Sequence, residues 1–138
     1  MIVGIGTDLV QIKRIEAALA RTGPRFAERI LAPIERPDYA AAPHPARFLA
    51  KRFAVKEAAA KALGTGIAKG ISWHHIYLQH DPLGAPRLCL TGAAAERQTM
   101  QQIDSLHVSL SDEQEYVIAF VVLERSAAIL STERTDPL

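Results

Sequence analysis

Apolar residues recur at a helical period near the start of the chain and dominate a longer segment in its middle. In the first region, residues three or four positions apart share one helix face: Val10, Ile12, Ile15, Ala18 and Leu19. The clearest helix is predicted over residues 46–63, which are rich in the good helix formers Ala, Leu, Lys, Arg and Glu. Gly64 stands where a helix C-cap belongs. Shorter helices are expected over 25–31 and 92–102.

Short apolar runs bounded by turn signals predict five strands, over residues 2–6, 71–78, 87–90, 106–110 and 116–123. The first is expected to be buried, and the last to be central because it is apolar on both faces. Four prolines between Pro33 and Pro45 indicate a mostly irregular linker with at most one helical turn. One strand, then helices, then hairpin-linked strands predict an α+β fold with a largely antiparallel sheet.

Composition is typical of one globular protein. We expect a single domain over residues 1–125 and a partly disordered tail over 126–138. With 16 Lys and Arg against 15 Asp and Glu, the charge balance does not predict nucleic-acid binding. The one cysteine excludes an internal disulfide. No apolar run reaches the roughly 18 residues of a membrane span, and no targeting signal stands out, so we expect a cytoplasmic protein.

The long helix carries the strongest local pattern, Lys56-Glu57-Ala58-Ala59-Ala60-Lys61. Glu57 and Lys61 are four residues apart and therefore share a face. One interpretation is an ordinary exposed ion pair. The other is a partly buried carboxylate, because Phe53 and Ala60 flank the pair, and such a carboxylate needs a cation such as a metal ion.

A second pattern, Gly4-Ile5-Gly6-Thr7-Asp8, runs through the end of the first predicted strand and places Asp8 just after it. A dinucleotide-binding fingerprint needs a third glycine three positions after Gly6, but Leu9 is there. Asp8 could cap a helix. Paired with Glu57, it could instead bind magnesium, which favours one or two carboxylates, waters and phosphate oxygens.

The glycine-rich turn Gly64-Thr65-Gly66 is not a Walker loop, because it follows a helix and lacks the Gly-Lys-Ser/Thr ending. It is either a helix stop or a close approach to a phosphate. His107 lies on a predicted strand with two serines but without the glycine elbow of a serine hydrolase. Phosphate binding or strand capping are its open roles. His74 and His75 are adjacent on a predicted strand, so they would point to opposite faces.

The first helix is basic, with Arg14 and Arg21 seven residues apart on one face. A solvated basic surface and a docking surface for an acidic protein are both compatible with this pattern.

Several segments in order resemble the short holo-acyl-carrier-protein synthases of the phosphopantetheinyl transferase superfamily. The resemblance runs from about residue 2 to about residue 124, and it rests on the Gly4–Val10 segment, on Arg52–Ala62 and on Gly64–Ile67. Later segments agree, namely Gly70–Trp73, Gly84–Leu88 and His107–Ser111. The Gly-x-Gly-x-Asp start combined with Lys-Glu-Ala-x-x-Lys-Ala is specific, although either alone would be weak.

This resemblance implies transfer of the 4′-phosphopantetheine arm of coenzyme A to a serine of apo acyl carrier protein, with release of 3′,5′-ADP. Activation of the carrier protein serves fatty acid biosynthesis. Magnesium would be bound by Asp8 and Glu57. Lys61 would stabilise the leaving group, and Glu57 or a water would act as general base.

Further roles follow from the same resemblance. Lys61 and the turn Gly64, Thr65 and Gly66 would lie near the coenzyme A phosphates. Arg52 and His107 would lie near the 3′-phosphate. The resemblance also implies a homotrimer with active sites between subunits, and it makes the basic first helix with Arg14 and Arg21 the dock for acyl carrier protein.

Two departures from the family pattern stand out: Phe53 where many relatives have tryptophan, and Gln11 where many have glutamate. Two rival interpretations remain open on sequence alone. One is a transferase for polyketide or peptide synthetases, although those enzymes are usually about twice as long. The other is a non-catalytic module that binds nucleotides or acidic proteins.

Overall fold

The computed structural model describes residues 1–127, so the predicted tail lies, from residue 128 onward, outside the described residues. The helices of this part are α1 (Ile12–Thr22), α2 (Pro24–Ile30), α3 (Arg36–Ala40), α4 (Pro45–Ala62) and α5 (Gly92–Met100). The strands are β1 (Ile2–Gln11), β2 (Ile76–His80), β3 (Pro86–Leu90), β4 (Ser105–Asp112) and β5 (Tyr116–Glu124). Within residues 1–127, no helix is both long and apolar enough to cross a membrane.

The strands form two antiparallel sheets, which confirms the predicted α+β class. In the larger sheet the order is β1-β5-β4, so β5 is central as its apolar sequence predicted. The smaller sheet is the hairpin of β2 and β3. Because β1 pairs with β5, the first and last strands of the described chain lie side by side.

Helix α4 fills the centre of the fold. It packs on the inner face of the larger sheet and is covered on other sides by α1, α2 and β2. Alternate residues of β5 face it and are fully buried: Val117, Ala119, Val121 and Leu123. The opposite residues of the same strand are about 40% exposed or more at Tyr116, Ile118 and Phe120.

The prediction of a short, buried first strand over 2–6 is wrong in length and in burial. The strand continues to Gln11, because it pairs with β5 as far as Tyr116. From Gly4 to Val10 only the even-numbered residues face α4, so Ile5 and Leu9 on the other face are 61% and 62% exposed. Helix α1 consequently begins at Ile12.

The prediction of a mostly irregular segment over 33–45 is also wrong. A 3₁₀ turn covers Pro33–Glu35, and α3 follows it directly. Pro33, Pro37 and Pro45 all lie in first turns, where the missing N–H costs no helical hydrogen bond. The prolines therefore start helices here.

The predicted strand over 71–78 begins only at Ile76, because Trp73–His75 form a 3₁₀ turn. The ring nitrogen Nδ1 of His75 accepts a hydrogen bond from the backbone N–H of Ser72, which stabilises the turn. The argument that His74 and His75 point to opposite faces of a strand is therefore wrong.

Candidate active site

Strand β1 and helix α4 approach each other through their backbones. A Cβ atom built on Gly4 would overlap the carbonyl oxygen of Ala62, and one on Gly6 would overlap that of Ala58. Glycine is required at both positions, because any side chain would push the strand off the helix. Asp8 is the next residue of the same strand face, so its carboxylate reaches α4 at close range.

The contact brings Asp8 to Lys61. The ammonium Nζ of Lys61 lies 3.0 Å from Oδ1 of Asp8 and donates a second hydrogen bond to the carbonyl oxygen of Thr7. The Lys61 side chain is 51% exposed and that of Asp8 is 16% exposed. The lysine is therefore held in place yet open to solvent, where it can also bind an anion.

Glu57 lies one helical turn before Lys61 and is half-buried. Its Oε1 atom accepts a hydrogen bond of 2.9 Å from the indole Nε1 of Trp73. The Trp73 ring packs against Phe53 on the same face of α4, with ring centroids 6.3 Å apart. Asp8 and Lys61 are therefore in contact, and Glu57 lies one turn earlier on the same helix; we call these three residues the acidic cluster.

The donors of the acidic cluster suit magnesium. Both candidate ligands are carboxylates, and each already has one oxygen in a hydrogen bond. Among residues 1–127, no group of three or more His, Cys, Asp or Glu side chains could hold a metal. Magnesium does not need such a cage, because it commonly binds one or two carboxylates and completes its shell with water and phosphate oxygens.

A second charged group lies inside the fold. Glu35 accepts a 2.6 Å hydrogen bond from Lys56 and lies 3.7 Å from Arg52, and all three side chains are almost fully buried. Lys56 also donates to the carbonyl oxygens of Trp73 and Ile76. Burial lowers the pKa of Lys56, and the Glu35 carboxylate opposes that shift. We call these three residues the buried cluster; it ties α4 to the turn before β2.

The buried cluster was not predicted from the sequence. Arg52 was expected only near the 3′-phosphate, and Glu35 had no predicted role. No local pattern marks Glu35, because its partners lie 17 and 21 residues away and meet it only in the folded chain.

The Arg52 side chain already makes contacts that stabilise the fold. Its Nη1 donates to the carbonyl oxygen of Leu78 at 2.7 Å, and its guanidinium lies 4.6 Å from the centroid of the Phe48 ring. Burial lowers its pKa, and Glu35 counteracts that effect. The side chain also lines an open cavity of about 460 Å³, together with His80. A phosphate would have to reach Arg52 through this cavity.

The turn after α4 uses its backbone N–H groups internally. Those of Thr65 and Gly66 both donate to the carbonyl oxygen of Ala60, and that of Gly64 donates to Lys61. Gly64 and Gly66 have φ values of 84° and 64°, which favour glycine. The turn is therefore a helix stop in geometry, and the groups it offers to a phosphate are side chains, namely the Thr65 hydroxyl and the neighbouring Lys61.

His107 lies on the other side of the sheet from the acidic cluster. Asp8 is paired with Ala119, whose side chain faces α4, whereas His107 is paired with Val122 on the alternate face. Its Nε2 lies 3.1 Å from Oε1 of Glu124, and the side chain is exposed. Within one chain, the sheet therefore separates His107 from Asp8 and Glu57.

Comparisons with known proteins identify the family of the chain. The family model described as the 4′-phosphopantetheinyl transferase superfamily matches residues 4–121. The chain belongs to this superfamily. A holo-[acyl-carrier-protein] synthase of Vibrio cholerae is 54% identical over 125 residues, which are 91% of this chain and 99% of that protein. This chain is therefore a phosphopantetheinyl transferase, which excludes the alternative of a non-catalytic binding module.

Solved structures are similar to this transferase over the same length. The synthase of Neisseria meningitidis has a TM-score of 0.86 and 46% identity, and the match covers 91% of this chain and all of that one. The Bacillus anthracis synthase, solved in complex with CoA (3′,5′-ADP), has a TM-score of 0.76 and 38% identity; that match covers 91% of this chain and 99% of the other. The similarity spans the whole length of both short synthases.

The basic face of the transferase lies on α1. Ile12, Ile15 and Ala18 are buried against the core, so Arg14 and Arg21 are on the opposite, exposed side. Among the described residues, neither arginine takes part in an ion pair. Their charges are therefore available to an acidic partner.

Proposed function

We propose that this transferase moves the 4′-phosphopantetheine arm of coenzyme A to a serine of apo acyl carrier protein and releases 3′,5′-ADP. The observation that carries the proposal is the contact between Asp8 of β1 and the half-exposed Lys61 of α4, one helical turn after Glu57. The names of the relatives support the same carrier protein, and the ligand of the Bacillus anthracis structure supports coenzyme A as donor. The reaction would serve fatty acid biosynthesis in the cytoplasm, with residues 1–125 as the single working domain.

Asp8 and Glu57 are the residues that would hold magnesium. Bound there, the ion would neutralise negative charge on the pyrophosphate of coenzyme A as the phosphorus is attacked. Both side chains are partly buried, so they would hold a cation more firmly than two fully hydrated carboxylates.

Lys61 would stabilise the departing 3′,5′-ADP. Its ammonium group is restrained by Asp8 and by the Thr7 carbonyl but is half exposed, so an incoming phosphate can share it. Fixed donors of this kind act where negative charge develops in the transition state. Glu57 lies on the same helix face and is the candidate general base for the serine hydroxyl.

The nucleotide end of coenzyme A would extend away from the acidic cluster. Thr65, with the flanking Gly64 and Gly66, lies four residues after Lys61; its hydroxyl donates to the Gly66 carbonyl oxygen here and would exchange that acceptor for a phosphate oxygen. Arg52 and His107 stay our candidates for the 3′-phosphate. Arg52 would be reached through its cavity, while His107 requires a second copy of the chain.

A homotrimer with sites between subunits supplies that second copy. His107 and the carboxylates lie on opposite faces of one sheet, so one chain cannot offer both to the same ligand. The outer face of that sheet also carries an apolar surface, formed by Ile5, Leu9, Tyr116, Ile118 and Phe120. An exposed apolar patch of this kind marks an interaction surface, and closed symmetry is the usual result of self-association.

Mixing two inactive variants tests this arrangement. Asp8→Ala and His107→Ala would each lower transfer. In the proposed trimer, each site takes Asp8 from one chain and His107 from its neighbour. Randomly mixed trimers would therefore contain about one quarter of sites with both residues intact. Recovery of activity after the two variants are unfolded and refolded together is the expected result. If the mixture is no more active than its components, the shared site is wrong.

The docking surface for the carrier protein would be α1, through Arg14 and Arg21. Acyl carrier protein is expected to present acidic groups, and charge complementarity raises the rate of encounter.

Transfer itself is tested by mass. We expect that the protein, coenzyme A, Mg²⁺ and apo acyl carrier protein together give a carrier whose mass has increased by one phosphopantetheine group. Omitting Mg²⁺ or using Glu57→Gln should prevent the gain. A carrier that stays unmodified with the wild-type protein would reject the proposed function.

A further inference from the structure

Trp73 is the only tryptophan of the chain, and it bonds to one of the two candidate metal ligands. Its indole N–H is a donor only, and it is directed at Oε1 of Glu57 over 2.9 Å. The bond restricts the rotation of the carboxylate and occupies one lone pair of Oε1, so Oε2 is the oxygen best placed to bind a cation.

The position of the indole is itself determined by the fold. Its ring packs against Phe53, which lies one turn before Glu57 on α4. Its backbone carbonyl accepts a 2.9 Å hydrogen bond from Lys56, whose ammonium is anchored by Glu35. The buried cluster therefore holds the turn that carries Trp73, and Trp73 in turn holds Glu57.

We propose that Trp73 is a positioning residue that orients the Glu57 carboxylate for magnesium. The inference rests on the proposed function, since it takes Glu57 to be a metal ligand. Groups that hydrogen-bond to metal ligands commonly change metal affinity or activity by about 10- to 100-fold when they are removed. The other bound carboxylate, Asp8, is held in the same way by Lys61, so each ligand has one restraining donor.

Trp73→Phe removes the N–H and keeps an aromatic ring against Phe53. We expect the Mg²⁺ concentration for half-maximal transfer to rise about tenfold. The turnover at saturating Mg²⁺ and the melting temperature should stay close to those of the wild type. An unchanged Mg²⁺ dependence in a folded Trp73→Phe variant overturns the proposal.

Phe53→Leu is the matched control for packing. It removes the ring–ring contact but leaves the indole N–H and the Lys56 bond that holds its turn, so it should lower the melting temperature and raise the Mg²⁺ requirement by clearly less than tenfold. If Phe53→Leu and Trp73→Phe raise the Mg²⁺ requirement equally, packing explains the effect and the positioning role is rejected.

A binding readout needs no turnover. All tryptophan emission comes from residue 73, so a titration with Mg²⁺ at constant saturating 3′,5′-ADP should change the emission of the wild type and leave that of Glu57→Gln unchanged. If the wild type transfers phosphopantetheine in a Mg²⁺-dependent way but its emission does not respond, the inference fails alone. If the emission responds but no transfer occurs, the proposed function fails and the link between Trp73 and Glu57 stands.

Discussion

Lys56 and Lys61 lie five residues apart on α4, and each pairs with a carboxylate from another part of the chain. The Lys56 and Glu35 side chains are 1% and 2% exposed, whereas those of Lys61 and Asp8 are 51% and 16% exposed. A buried pair has lost its water and depends on its partner, so removing one member is costly. An exposed pair contributes little to stability and can exchange its partner for a ligand. The same chemistry thus stabilises the fold at one position and, in the function we propose, takes part in the reaction at the other.

The largest expected effect is on the buried cluster. Lys56→Met leaves the Glu35 carboxylate buried with its closest partner removed, which should lower the free energy of unfolding by about 3–5 kcal/mol. Urea-induced unfolding followed by circular dichroism measures this change. A loss below about 1 kcal/mol would mean that the buried pair contributes no more to stability than an ordinary surface salt bridge.

The double variant Glu35→Leu with Lys56→Met serves as its control. It removes both charges, so part of the lost stability should return. A double variant that is less stable than Lys56→Met would mean that Glu35 stabilises the fold through its remaining partners, the backbone N–H groups of Ala32 and Leu78 and the Arg52 side chain.

The same substitution at the exposed pair should give the reverse result. Lys61→Met should lower the turnover of phosphopantetheine transfer by about 100- to 1,000-fold, the usual cost of one transition-state donor. Its free energy of unfolding should change by less than about 1 kcal/mol. Measuring kcat and urea unfolding on one preparation separates the two effects. A stable, fully active Lys61→Met variant would remove Lys61 from the catalytic residues.

Gly6→Ala tests the contact that creates the acidic cluster. The new Cβ would overlap the carbonyl oxygen of Ala58, and overpacking of this kind costs about 1–3 kcal/mol. Transfer should fall as well, because Asp8 would move away from α4. Thermal unfolding and the transfer assay check both expectations. An alanine variant of unchanged stability would show that β1 and α4 can separate freely.

The smallest effect is expected on α1, whose Arg14 and Arg21 form no ion pair within residues 1–127. Arg14→Glu should raise the KM for acyl carrier protein by roughly tenfold, since surface charges act mainly on encounter. The KM for coenzyme A should not change. Arg87→Glu on β3 makes the same change in net charge elsewhere and is the matched control. Equal effects of the two variants, or a change in the KM for coenzyme A, would contradict docking through α1.

The sequence predicted those parts of the fold that rest on local signals. The period of α1, the composition of α4 and the apolar run of β5 each identified an element, and the superfamily and the antiparallel α+β class are confirmed. The joint pattern around Asp8, Glu57 and Lys61 also included two residues that the fold brings into contact, Asp8 and Lys61, although the roles of all three stay predictions.

Non-local contacts explain what the sequence did not predict. The length of β1 depends on pairing with β5, more than 100 residues away, and the turn at Trp73 depends on Lys56 and His75. The first-turn prolines resembled loop residues, because proline starts helices and interrupts them alike. The bond from Trp73 to Glu57 could not be inferred either, since the strand expected over 71–78 would have directed the ring differently.

The main-chain contact of Gly4 and Gly6 with α4 has a consequence for sequence divergence. Where strand and helix are separated by side chains, a change of side-chain volume alters their spacing. Here the carbonyl groups of Ala58 and Ala62 set the distance between β1 and α4. Substitutions deeper in the interior therefore cannot easily change the distance between Asp8 and Lys61. We therefore expect homologous chains to exchange many interior residues while these two glycines and the small residues opposite them tolerate almost no replacement.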